Sequence, residues 1–230
     1  MSAGSEDLGA FEEYRRLLEG LPKGIAGSIE LVASQLAEPA RSLLRLLAIP
    51  HSFDLETVAV LMPELDRAEA TAAIDEIRPL AFVIRSEQAN ALHDDVRHYL
   101  FNWWLEGRDK DPARWQRFRA ASARLAAHYA ALAERSIGDA KAIAERQRIF
   151  HLVGADEQAG FDAFQHLCRI ERYRYRLESC EALIKLIREY EPVLSPQAAS
   201  WLEYHEIKLL MDLHQHEQAK ARLDGLMAAC

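Results

Sequence analysis

Cysteine is scarce in this sequence. Cys168, Cys180 and Cys230 are the only three in 230 residues, and their spacing fits neither a zinc motif nor a redox motif. A disulfide-framed secreted domain is therefore excluded, and reduced thiols in a cytoplasmic protein are the expectation. No apolar run approaches the roughly 20 residues that a membrane span needs, so no membrane association is expected. The opening residues, MSAGSEDLGAFEEY, carry neither the basic start nor the apolar stretch of a secretory signal. The ten glycines are scattered, and no G-x-x-x-x-G-K-[ST] phosphate loop exists. H-E-x-x-H, C-x-x-C and G-x-S-x-G are also missing. His214 and His216 stand two apart, a spacing that suits no metal pair on a helix face, and read as surface or loop residues. No catalytic residue, no metal ligand set and no cofactor of its own is expected. An enzyme is the least expected class.

Positive charge is also in short supply. The formal net charge is −8, and all of it lies in residues 1–110, which hold 11 Lys and Arg against 19 Asp and Glu. Residues 111–230 are neutral, with 17 of each. An acidic first half repels a phosphate backbone, so nucleic acid is not an expected partner.

What the chain has is helical periodicity with clear punctuation. Two helical runs in 9–36 are split by Gly20-Leu21-Pro22. Ala40, Leu43, Leu44 and Leu47 follow the i, i+3, i+4, i+7 rule, with Pro39 in the first turn and Pro50 as the stop. DLETVAVLMP opens on Asp54 as N-cap and stops at Pro63. DRAEATAAIDEIRP opens on Asp66 with Glu69 three residues later, the spacing of a capping box. Then the pattern shifts. Ala81-Phe82-Val83-Ile84 reads as a strand, Ser86–Asn90 as a turn and Ala91-Leu92 as the returning strand. Three short helices followed by a small hairpin is the winged-helix order, a variant of helix-turn-helix. A further helix over 95–106 would set Val96, Tyr99, Leu100 and Trp103 on one face. The helix at 66–78 occupies the place of a DNA reader. Its Glu69, Asp75 and Glu76 outnumber Arg67 and Arg78, which suits packing against protein better than DNA.

After a charged linker at 107–112 the spacing predicts helices at 113–135, 139–153, 156–171, 177–191, 196–213 and 215–228. The last four form two pairs starting about 40 residues apart. Leu213–Ala219, followed by Leu223, resembles the loop and second helix of a tetratricopeptide repeat, with the small Ala219 at the close approach and His214 where glycine is usual. RIERYRYR (169–176) is read as an exposed helix end whose arginines suit the C-terminal dipole, with tyrosines packed beneath, rather than as a base-stacking surface. The expected fold is mainly α: residues 1–20 a linker or helix remnant, 21–106 a winged-helix domain, and 112–230 a TPR-like superhelical array.

LPKGI (21–25), SLLRLLAIP (42–50), FDLETVAVL (53–61), the helix to Pro79, the wing strand and LHDDVRHYL (92–100) together resemble the winged-helix domain of STAND-class signal-transduction ATPases. That class includes plant disease-resistance proteins, apoptosome-forming proteins and bacterial regulators. The resemblance covers about 11–106, and the helices after it look like the sensor arm of bacterial members. Leu92-His93-Asp94 stands in place of the family's Met-His-Asp motif, with Leu for Met. The resemblance implies that His93 contacts the β-phosphate of bound ADP, that Asp94 orders the following helix, and that the ATPase domain precedes this segment or is another chain. ADP or ATP would belong to that full-length protein. The implied function is a non-catalytic regulatory and sensor region. Its winged helix packs on a nucleotide-binding domain and holds the ADP-bound off state, while the array binds a trigger or partner protein. A DNA-binding transcription regulator with a ligand-sensing array, and a plain interaction scaffold, are the alternatives.

Overall fold

The computed structural model describes residues 24–86 and 89–229. The helical run expected before Gly20, and the segment 1–20 with it, lie outside those residues. The chain is mainly α-helical and divides into two compact units, one ending at Phe101 and one beginning at Asn102.

In the first unit, α1 (Ile25–Gln35), α2 (Ala40–Leu46), α3 (Leu55–Leu61) and α4 (Arg67–Ile77) precede a two-stranded antiparallel hairpin, β1 (Val83–Arg85) and β2 (Asn90–Leu92). Val83 pairs with Leu92 and Arg85 with Asn90. Helix α5 (Asp94–Leu105) follows at once. The helix starts are set by side chains. Asp54 accepts from the Thr57 amide at 2.8 Å, and Asp66 and Glu69 make both bonds of the capping box. The end of α1 is held from outside by Arg41, whose guanidinium donates to the carbonyls of Ala33, Ser34 and Leu36. Leu43, Leu44, Leu47, Ile49, Phe53, Val58, Ile77, Leu92, Leu100 and Phe101 are buried and form the core. Burying one such side chain contributes about 1.5–3 kcal/mol.

Two features depart from the sequence-based expectation. Phe53 exchanges both backbone hydrogen bonds with Asn90 (2.7 and 2.8 Å), so a third extended segment joins the hairpin. The buried face of α5 is also rotated. It runs through Val96, Arg97, Leu100, Phe101 and Trp104, while Tyr99 and Trp103 are half-buried. Arg97 enters the interior because its Nε reaches the Pro50 carbonyl at 3.3 Å and its guanidinium lies 5.2 Å from the Phe101 ring.

In the second unit the expected charged linker folds. Gly107–Lys110 makes a single helical turn (α6), tied by Lys110 Nζ to Glu106 at 2.8 Å, and Asp111 then caps α7 (Pro112–Arg135). There follow α8 (Gly138–Ala155), α9 (Glu157–Tyr173), α10 (Leu177–Arg188), a 3-10 turn (Glu191–Val193), α11 (Pro196–Asp212) and α12 (His216–Ala229). Phe118, Phe150, Phe161, Phe164 and Tyr190 fill the interior. Gly160 permits the close crossing of α8 and α9, since a Cβ there would fall 2.5 Å from the Val153 backbone.

The pairs α9/α10 and α11/α12 repeat each other at an offset of 39 residues (156 to 195, 175 to 214, 177 to 216). Asp156 and Ser195 cap the first helices by accepting from Ala159 and Ala198. Tyr175 and His214, both at positive φ (55° and 60°), end them. Arg176 N–H donates to Glu171 O and Gln215 N–H to Leu210 O, closing the same left-handed turn twice. The buried small residues Cys180 and Ala219 stand in equivalent places in α10 and α12. An ion-pair ladder adds to the second pair, with Arg188 of α10 and Arg222 of α12 both meeting Glu203 and Glu206 of α11.

Candidate functional sites

His93 sits between β2 and α5. Its backbone is locked on both sides: its N–H donates to Phe82 O at 2.8 Å and its carbonyl accepts from Arg97 N at 2.9 Å. Its side chain is 60% exposed, with Nδ1 4.0 Å from the Asp95 carboxylate. The ring is therefore neither a core histidine nor a cap for its own helix. Asp94 opens α5 and is exposed, and its carbonyl faces His98 Nδ1 at 3.1 Å. Two acids in the first turn favour the helix through its dipole. The geometry brings His93 and Asp94 to one accessible junction and gives them no further partner shared between them. No group of three or more His, Cys, Asp or Glu that could hold a metal exists among the described residues.

A second surface was not foreseen. Helices α9 and α11 each present one stripe to a common groove: Asp162, Gln165, His166, Arg169 and Arg172 from α9, and Trp201, Tyr204, His205 and Lys208 from α11. The spacing i, i+3, i+4, i+7 puts each set on a single helix face. Trp201 and Tyr204 are exposed and meet edge to face at 5.5 Å, and Lys208 Nζ lies 5.3 Å from the Tyr204 ring. Arg169 donates to His166 Nδ1 at 3.2 Å, and Arg172 is held by Asp212. His205 forms the floor. It is 94% buried against Phe164 and Tyr204, and its Nδ1 has no hydrogen-bond partner among the described residues. Burial, with the nearby Arg172 and Lys208 charges, lowers its pKa to about 4, so the ring is neutral near pH 7. The sequence held one signal for this surface. At the 39-residue offset, Gln165-His166-Leu167-Cys168-Arg169 matches Tyr204-His205-Glu206-Ile207-Lys208 in its histidine and its cation.

The RIERYRYR segment ends α9 as expected, but its tyrosines do not pack beneath it. Tyr173 and Tyr175 are both almost fully exposed. They lie in the last residues of α9 and in the left-handed turn after it, where the backbone turns side chains outward. His214 and His216 are exposed loop and helix-start residues.

No helix among the described residues is long and apolar enough to cross a membrane. Comparison with known protein families, curated proteins and solved structures returns no match.

Proposed function

We propose that this chain is a non-catalytic regulatory and sensing module of the STAND type. Its first unit, read as a winged helix, contacts a nucleotide-bearing domain through His93, and its second unit, a helical-hairpin array, receives a trigger or partner protein. The observation that carries this reading is the state of His93. Its main chain is fixed by two hydrogen bonds while its ring is turned to solvent at the start of a 12-residue helix. A side chain carried on a fixed main chain, with little packing of its own, is suited to meet something outside the chain. The order α2, α3, α4, hairpin, α5, with Phe53 bridging onto the hairpin, supports the winged-helix reading. The 39-residue offset supports a hairpin repeat, although it is longer than the 34 residues of a tetratricopeptide unit.

A DNA reader is a weaker reading because the acids of α4 are engaged or exposed on its surface. Glu69 closes the capping box, Glu76 accepts from the Ala37 amide, and Asp75 pairs with the exposed Arg78.

The test is His93→Ala in the full-length, ATPase-bearing protein. Loss of one charge-assisted hydrogen bond to a phosphate removes about 1.5–3 kcal/mol from the closed state, roughly 10- to 150-fold in the closed-to-open ratio. ADP release should accelerate and basal activity should rise. Unchanged ADP release removes His93 from the sensing role.

A further inference from the structure

The α9–α11 groove combines features that rarely coincide on a surface held only by its own fold. Trp201 and Tyr204 expose large aromatic faces to solvent. Arg169 and Lys208 make no ion pair with a carboxylate among the described residues. Beneath them the buried His205 ring packs on Phe164 and Tyr204 and closes the floor. The groove is locally cationic on a chain of net charge −8. Asp162, already bonded by Gln158, is the only acid lining it among the described residues.

Resting on the reading of the second unit as a partner-binding array, we propose that this groove takes a short acidic segment of a partner protein, its carboxylates on Arg169 and Lys208 and an apolar side chain on Trp201 and Tyr204. From Asp162 to Arg172 the α9 stripe is about 15 Å long at 1.5 Å per residue. A run of four or five extended residues spans that distance. Exposed aromatic rings supply contact area at low entropic cost, and two cations that make no ion pair with a carboxylate among the described residues supply the charge complement. A single-stranded nucleic acid also stacks on aromatics. It needs a cationic track longer than these few residues, and the net charge of the whole chain opposes it.

The experiment uses the full chain and a fluorescein-labelled Asp-Glu-Phe-Glu-Asp pentapeptide, read by polarisation. Its controls are the same peptide with lysines for the acids, the peptide with alanine for phenylalanine, and a thymidine decamer. Saturable binding is expected, with a Kd from tens to hundreds of micromolar, roughly −5 to −7 kcal/mol. Binding should weaken at least tenfold in the Arg169→Glu/Lys208→Glu variant and with the alanine peptide, and the lysine peptide should not bind. Should the double reversal lose its helical circular dichroism, Arg169→Gln/Lys208→Gln and Trp201→Ala carry the same comparison. No saturable binding at millimolar peptide, equal affinity for wild type and variants, or tighter binding of the decamer overturns the proposal. That failure is separable from failure of the sensing role, which is read at His93 through ADP release.

Discussion

His205 makes the second unit's stability depend on pH. Its folded pKa of about 4 lies below the ordinary histidine value near 6.5, chiefly because burial disfavours the charged ring. Between those values the unfolded chain binds more protons than the folded one, so stability rises with pH. The contribution is complete above pH 6.5 and is lost as pH falls toward 4. A shift of this size corresponds to roughly 3 kcal/mol. Chemical denaturation from pH 4 to 7.5 should show that slope, and His205→Gln should flatten it. An unchanged slope in the variant would assign the effect to other groups. His93 is the opposite case. With most of its side chain in solvent, His93→Ala in this chain should move stability by no more than about 0.5 kcal/mol, as a melting curve would show. His93 was legible from its place between a strand pattern and a helix pattern. His205 was not, because a lone histidine in a helix gives no sign of burial until the neighbouring helix is in place.

At the scale of elements, the turns after α9 and α11 are built with non-glycine residues at positive φ. A side chain in that region costs about 1–2 kcal/mol, part of which returns because glycine is more flexible when unfolded. Tyr175→Gly and His214→Gly should each raise the unfolding free energy by about 0.5–1 kcal/mol in urea titrations. A loss at either site would mean that its side chain makes a contact worth more than the strain. Helix existence and helix starts were readable because Asp54, Asp66 and the prolines act locally, within one turn of where they stand. Three things were not readable. The single turn α6 is fastened by Arg108, which donates to the distant Val193 carbonyl, the Phe53 bridge depends on a strand nearly 40 residues away, and the buried face of α5 depends on the Pro50 carbonyl. The groove escaped notice for the same reason: each stripe alone is an ordinary amphipathic helix, and the chemistry appears only when α9 and α11 lie side by side.

For the whole molecule, charge sets the long-range behaviour. With the excess of acids confined to residues 1–110, duplex DNA should be repelled in solution. A polarisation assay against random duplex pools at about physiological salt should give no sequence-selective binding below 10⁻⁶ M. Selective binding at that level would restore the transcription-regulator reading.

The 39-residue offset has a consequence for inheritance. Caps, left-handed turns and small buried residues recur in step between the two hairpins. Such arrays hold themselves together mainly through neighbouring units. A gain of 39 codons between Asp156 and Ser195 therefore leaves every cap and turn in phase, whereas a gain of a few codons inside one helix rotates its faces by about 100° per residue. A gene carrying an in-frame duplication of codons 157–195 should still encode a soluble protein of the same helical fraction, measured by circular dichroism. One carrying two extra codons within α11 should not. The array can thus change length by unequal recombination without passing through an unfolded intermediate.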